Sequence, residues 1–154
     1  MDFEHSDKVK SLLAEVGGFM DEHVYPQEEA YYFLVSDPAQ LWKEWPGMEA
    51  LKAKARAEGL WNMFMPPAYG ADRVDETFEF HGPHLSNLEY AQLAECMGRV
   101  AWAPDVFNCS APDTGNMEVL QRYGTRAQKD KWLLPLMNGE IRSAYSMTEP
   151  AVAS

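Results

Sequence analysis

The chain has 154 residues, of which 46% are hydrophobic and 24% charged, a composition typical of a globular domain. Its formal net charge of −11 argues against nucleic acid or an anionic membrane as a partner. No apolar run approaches the length of a membrane span. The acidic start at residues 1–7 lacks the basic region of a targeting signal, so we expect a cytoplasmic protein.

The first sixty residues have the pattern of helices joined by proline and glycine turns. Ser6 or Asp7 can cap a first helix, whose apolar residues recur at helical spacing: Val9, Leu12, Leu13, Val16 and Met20. Pro26 should kink or break it and begin a second helix over 27–34, with the aromatic residues 31–33 in the core. A third helix over 47–58 should end at Gly59 in a left-handed cap.

Capping signals also mark the helices of the second half. A polar stretch at 71–84 predicts a surface loop, and Ser86 and Glu89 form a capping box before a helix that stops at Gly98. Asp113 or Thr114 can cap the next helix, which ends at Gly124. A second capping box begins at Thr125, and that helix closes at Gly139. Residues 1–139 are therefore predicted to be an all-α domain, a helical bundle of five or six helices.

The last residues change from helical spacing to a two-residue period. Ile141, Ser143, Tyr145 and Met147 alternate with the residues between them, which predicts a strand over 141–147. Glu149-Pro150 ends the pattern, since proline cannot donate to a sheet ladder. A lone strand is not stable, so we interpret 140–154 as the first strand and turn of a truncated β-domain.

The run 144–154, Ala-Tyr-Ser-Met-Thr-Glu-Pro-Ala-Val-Ala-Ser, resembles the flavin-binding signature of acyl-CoA dehydrogenases. The chain is similar to that family over roughly 6–154, with its usual glycine-rich turn replaced by Ala151-Val-Ala-Ser154. The resemblance implies an N-terminal helical domain followed by the start of a flavin-binding β-domain. Further matching blocks lie upstream at 85–91, 94–99, 123–125, 128–129 and 132–136.

The resemblance also implies a cofactor and a reaction. Tyr145, Ser146, Met147 and Thr148 match residues that contact FAD, and Ser154 matches a position near the pyrophosphate and the substrate thioester. The implied activity is FAD-dependent oxidation of the Cα–Cβ bond of an acyl-CoA, and by position the resemblance implies an acyl-chain wall near 106–110. The family's catalytic base lies in a second helical domain, so no catalytic residue is assigned within this chain.

The implied partners are an acyl-CoA substrate, an electron acceptor such as an electron-transfer flavoprotein, and further copies in a homodimer or homotetramer. Two alternatives are an acyl-CoA oxidase, which shares the fold, and a non-catalytic helical interaction module whose end strand augments a partner's sheet. No metal site is predicted. His81 and His84 have no third ligand at a matching spacing, and Cys96 and Cys109 form no CxxC pair.

Overall fold

The computed structural model describes residues 4–67 and 73–151, and its regular structure is helical. The described residues contain six helices when the continuous run from Arg126 to Met137 counts as one and the four-residue helix Ala103–Val106 is left out. This number agrees with the predicted five or six. The helical segments are α1 (Asp7–Phe19), α2 (Glu28–Val35), α3 (Met48–Ala57), α4 (Asn87–Met97), α5 (Ala103–Val106), α6 (Asp113–Tyr123), α7 (Arg126–Gln128) and α8 (Leu134–Met137).

Two π turns occur just before prolines. The turn Met20–Val24 continues α1 and passes through a 3₁₀ turn, Tyr25–Gln27, into α2, and the turn Lys129–Leu133 joins α7 to α8. Proline lacks the N–H that an α-helix needs, and a change of helical period accommodates that loss. The chain at Pro26 therefore changes period between α1 and α2 without leaving the helical conformation.

Both predicted capping boxes and the left-handed glycine at the end of α3 are confirmed. Ser86 Oγ accepts from the Glu89 amide at 3.3 Å, and Glu89 Oε2 accepts from the Ser86 amide at 2.8 Å. Thr125 forms the same reciprocal arrangement with Gln128. Gly59 has a φ of +76°, the left-handed conformation that glycine adopts without steric penalty.

The chain divides into two compact units, and the first comprises Met1–Pro67 and Pro83–Cys109. In this unit α1 packs on α4, and α5 packs on α3 and α4. Its buried core includes Val16, Phe19, Met20, Leu51, Leu60, Met63, Leu93, Met97 and Phe107. Tyr31 stacks on Trp102 with ring centroids 4.9 Å apart. Phe33 is 82% exposed, so the prediction that the whole aromatic run 31–33 is core was wrong.

The second unit comprises Ala68–Gly82 and Ser110–Ser154. Here α6 packs against the π turn Lys129–Leu133 and against α8, burying Met117, Leu133, Leu136 and Met137. The strand predicted at 141–147 is not formed: residues 142–149 have no regular secondary structure. A strand requires a neighbouring strand, and the described residues provide none.

Candidate functional site

The segment 142–149 carries four of the predicted cofactor-binding residues on the surface of the second unit. Tyr145 is 69% exposed and Met147 is 62% exposed. Ser146 and Thr148 are also exposed. The fifth predicted residue, Ser154, lies outside the described residues. The structure therefore places Tyr145, Ser146, Met147 and Thr148 together on one short, accessible stretch.

This segment is anchored at its beginning by Asp113, which sequence reasoning assigned a different role. The Asp113 carboxylate accepts from the Ser143 amide at 2.7 Å and from the Ser143 hydroxyl at 2.5 Å. It also accepts from Arg142 Nε at 2.5 Å. Asn116, one turn along α6, donates its side-chain amide to the Ser143 hydroxyl at 2.8 Å. Two residues of α6 thus hold the first two residues of the segment.

The position of Asp113 explains why it anchors rather than caps. Pro112 occupies the N-cap position of α6 and Asp113 is the first helical residue, so its side chain makes no cap hydrogen bond. A carboxylate in the first turn is favoured by the helix dipole. Only 2% of Asp113 is exposed, and a buried carboxylate needs hydrogen bonds and a counter-charge. Arg142 and Ser143 supply both. The prediction that Asp113 or Thr114 caps this helix was wrong, because both lie inside it.

The polar stretch predicted as a surface loop is bound to α7 and the π turn that follows it. The ammonium group of Lys129 is fully buried, donates to the Asp75 carbonyl at 2.5 Å and lies 3.4 Å from Asp75 Oδ2. Arg126 donates to the Thr77 carbonyl at 2.9 Å, and Phe78 is buried between these cations. Hydrogen bonds from Thr77, aided by Lys129, lower the pKa of Asp75. Part of this stretch therefore contributes to the packing of the second unit.

The first unit contains a separate polar feature in the loop after α5. Asn108 donates its side-chain amide to Asn62 Oδ1 at 2.7 Å, and the main-chain N–H of Asn62 donates to the Phe107 carbonyl at 3.1 Å. The neighbouring Cys109 is buried, and burial raises the pKa of its thiol to about 11. Burial likewise raises the pKa of Tyr90, whose hydroxyl is hydrogen-bonded to Cys109. The family resemblance puts the acyl-chain wall near 106–110, and these contacts fix that loop.

The chemistry of segment 142–149 fits a flavin. A flavin ring needs an apolar or aromatic surface beside it and hydrogen-bonding groups at its edge. Tyr145 and Met147 provide exposed apolar surface, while Ser146 and Thr148 provide hydroxyl groups. Within the described chain, residues 144–147 make no sheet ladder, which leaves their main-chain groups accessible to a ligand. The residues present can therefore hold part of an FAD.

Metal clusters and membrane-spanning helices are both absent from the described residues. They contain no group of three or more His, Cys, Asp or Glu placed to hold a metal ion. None of their helices combines the length and the apolar character required to cross a bilayer.

Comparison with known proteins decides the family. Residues 6–140 match the family description "Acyl-CoA dehydrogenase, N-terminal domain", which covers most of the chain. The chain belongs to the acyl-CoA dehydrogenase family. It is 45% identical over 157 residues to a Mycobacterium tuberculosis protein named probable acyl-CoA dehydrogenase FadE2, and 46% identical over 149 residues to mouse acyl-CoA dehydrogenase family member 10.

A solved structure agrees with this assignment to the acyl-CoA dehydrogenase family. A chain from Mycobacterium abscessus, provisionally described as an acyl-CoA dehydrogenase, superimposes with a TM-score of 0.81 at 49% identity and covers 98% of the present chain. The present chain spans 36% of that structure, 35% of the Mycobacterium tuberculosis relative and 13% of the mouse relative. It therefore corresponds to a part of each of these longer acyl-CoA dehydrogenase relatives.

Proposed function

We propose that the chain is the N-terminal portion of an FAD-dependent acyl-CoA dehydrogenase, which oxidises the Cα–Cβ bond of an acyl-CoA thioester. The observation that carries the proposal is segment 142–149, where the family's signature residues lie exposed and together. Family membership over residues 6–140 supports the same reaction class. The chain would contribute part of the flavin site and part of the acyl-chain site.

Each signature residue would have a limited task. Tyr145 and Met147 would contact the flavin ring, and Ser146 and Thr148 would donate or accept hydrogen bonds at its edge. Ser154 would lie near the pyrophosphate and the thioester of the substrate. When bound, FAD supplies the acceptor for the hydride that leaves the β-carbon. The residues of this chain bind and orient and do not transfer the proton.

The proton at the α-carbon needs a base, and none of the glutamates of this chain is assigned to that role. In the family the base is a glutamate of a second helical domain, beyond the region that matches this chain. We therefore propose that the 154 residues alone do not dehydrogenate acyl-CoA. The catalytic step requires the complete protein.

The domain boundaries are part of the proposal. Residues 1–139 would form the N-terminal helical domain, and 140–154 would be the first strand and turn of a middle β-domain. The absence of a strand in the described residues 142–149 is consistent with this, because strand hydrogen bonds need a neighbouring strand. Pairing with a β-domain would convert the segment into an edge or internal strand.

The remaining features of the complete protein follow from the same family membership. We propose an acyl-CoA substrate, an electron acceptor such as an electron-transfer flavoprotein, a homodimer or homotetramer, and a cytoplasmic location. The names of the relatives favour a dehydrogenase over an acyl-CoA oxidase and over a helical interaction module. Oxygen consumption with acyl-CoA would distinguish an oxidase, since an oxidase reduces O₂ whereas a dehydrogenase needs another acceptor.

The proposal is tested by reconstituting the complete protein and the 154-residue chain separately with FAD. Each is incubated with saturated acyl-CoAs of several chain lengths and an artificial electron acceptor, and the 2-enoyl-CoA product is quantified. The complete protein is expected to form the product, and the 154-residue chain is expected to match a blank without protein. Product formation by the chain alone, or none from the FAD-loaded complete protein with any acyl-CoA, would contradict the proposal.

A further inference from the structure

We propose that Asp113 is a positioning residue that fixes the start of segment 142–149 and thereby helps to place the residues that follow for binding FAD. The inference rests on the proposed function, because it assumes that Tyr145–Thr148 contact the cofactor. It goes further in assigning a role to a helix residue that lies outside the signature and acts through Arg142 and Ser143 rather than on the cofactor or the substrate. The positioning role can fail while the proposed function stands, and the experiment below separates that outcome from a failure of both.

The first support is the geometry of the anchor. One carboxylate accepts three hydrogen bonds from two consecutive residues: the Ser143 amide, the Ser143 hydroxyl and Arg142 Nε. Main-chain and side-chain donors from Ser143 together fix both the position and the direction of the chain at that point. The anchor therefore restrains the backbone and not only a mobile side chain.

The second support is the short distance along the chain to the signature. Ser143 is two residues before Tyr145, and a residue spans at most about 3.6 Å of extended chain. Tyr145 is thus held within about 7 Å of the anchor. Tyr145 itself is 69% exposed, so packing does little to fix it. The Asp113 contacts therefore restrain the chain close to the start of the signature.

The third support is that the anchor itself is rigid and charged. Asp113 is 2% exposed in the first turn of α6, and Asn116 of the same helix adds a second hydrogen bond to the Ser143 hydroxyl. A buried carboxylate that accepts several hydrogen bonds is not replaced by an amide of equal size. One side of an amide donates, so it would oppose one of the donors from Arg142 or Ser143.

The test uses the complete protein with the variants Asp113→Asn, Ser143→Ala and, as a matched control, Asp75→Asn. Asp75 is also a largely buried carboxylate of the second unit, with a side chain 10% exposed and an ion pair to Lys129. Its hydrogen bonds are to Thr77 and Lys129, which lie outside 142–149. Two quantities are measured: hydrogen exchange of the amides of 142–148 without FAD, and the dissociation constant for FAD from flavin fluorescence.

Asp113→Asn is expected to speed exchange at Ser143 and its neighbours and to weaken FAD binding about tenfold, equivalent to about 1.4 kcal/mol. Ser143→Ala keeps the amide hydrogen bond, so its effect on both quantities is expected to be smaller. Asp75→Asn is expected to leave both at the wild-type value, even where it lowers the melting temperature. These results would show that Asp113 acts by positioning segment 142–149 and not by stabilising the protein in general.

Three results would overturn the positioning role of Asp113. If wild type binds FAD and Asp113→Asn binds it with the same dissociation constant, the positioning role is wrong while the proposed function stands. Equal exchange in Asp113→Asn and Asp75→Asn would also overturn the positioning role. If wild type binds no FAD, the proposed function fails, and the positioning role fails with it.

Discussion

Asn108 donates its side-chain amide to Asn62 Oδ1 at 2.7 Å, and both residues have left-handed backbones, with φ of 52° and 54°. Both side chains are buried, at 6% and 5% exposure. Asparagine is the residue after glycine that most readily adopts this conformation, because its short polar side chain can bond locally. The pair joins the connector after α3 to the loop after α5, which the family resemblance associates with the acyl chain.

Two substitutions separate the hydrogen bond from the backbone conformation. Asn108→Gly tolerates the left-handed backbone but removes the side chain and its hydrogen bond to Asn62, so it is expected to lower the free energy of unfolding by about 1 kcal/mol. Asn108→Ala should lower the free energy of unfolding by about 1 kcal/mol more than Asn108→Gly does. Alanine in a left-handed backbone is strained by roughly 1–2 kcal/mol. Its stiffer unfolded chain offsets only roughly 0.4–1 kcal/mol of that strain relative to glycine. Urea unfolding measures both. Equal stability of the two variants would show that backbone strain is unimportant at this position.

The capping box of α4 predicts a dependence of stability on pH. Hydrogen bonds from Ser86, chiefly from its main-chain amide, lower the pKa of Glu89 below its ordinary value of 4.5. Because the folded-state pKa is the lower one, the stabilisation is fully present above pH 4.5 and is lost as the pH falls through the folded-state pKa. Glu89→Gln removes this titration.

The difference in stability between wild type and Glu89→Gln should therefore be largest at neutral pH and shrink below pH 4.5. Urea unfolding at a series of pH values measures it. Glu95→Gln, on an exposed position of the same helix, controls for the loss of one negative charge. A difference for Glu89→Gln that stays constant with pH would show that the carboxylate has no special role in the cap.

The two cysteines should differ in reactivity. Burial raises the pKa of Cys109 to about 11, which disfavours the reactive thiolate, and the thiol is also shielded from reagent. Cys96 is partly exposed. A disulfide reagent should modify Cys96 first, and Cys109 only after unfolding. In the variant Cys96→Ser, rapid modification under native conditions would contradict the buried position of Cys109.

Thr148→Ala tests the signature directly in the complete protein. Loss of one hydrogen bond of roughly 0.5–1.5 kcal/mol should raise the FAD dissociation constant about two- to tenfold or slow flavin reduction. Thr77→Ala is a matched control, since its hydroxyl donates to Asp75 in the same compact unit and not to the signature. Flavin content and reduction rate identical to wild type in Thr148→Ala would remove Thr148 from the site.

Local signals in the sequence predicted most of the helices. Capping boxes at Ser86 and Thr125 and the left-handed glycine at Gly59 involve residues three or four apart, so they can be recognised without tertiary information. The signature at 145–148 was equally recognisable, through its resemblance to a family. The predicted strand was not formed because pairing depends on a neighbour that the sequence of the segment does not specify.

The features that sequence reasoning missed are contacts between distant residues. Asp113 meets Arg142 across 29 residues, and Lys129 meets Asp75 across 54. Nothing near Asp113 distinguishes an anchoring carboxylate from a helix cap, since aspartate suits both positions. A buried lysine likewise has no local pattern.

The central claim is that this chain supplies part of the flavin site of an acyl-CoA dehydrogenase. The most direct measurement is the absorption spectrum of the complete purified protein under anaerobic conditions, before and after addition of acyl-CoA. We expect a bound flavin whose long-wavelength band bleaches on addition of substrate, as the acyl-CoA is oxidised. A protein that takes up no FAD, or a bound flavin that no acyl-CoA bleaches, would contradict the account.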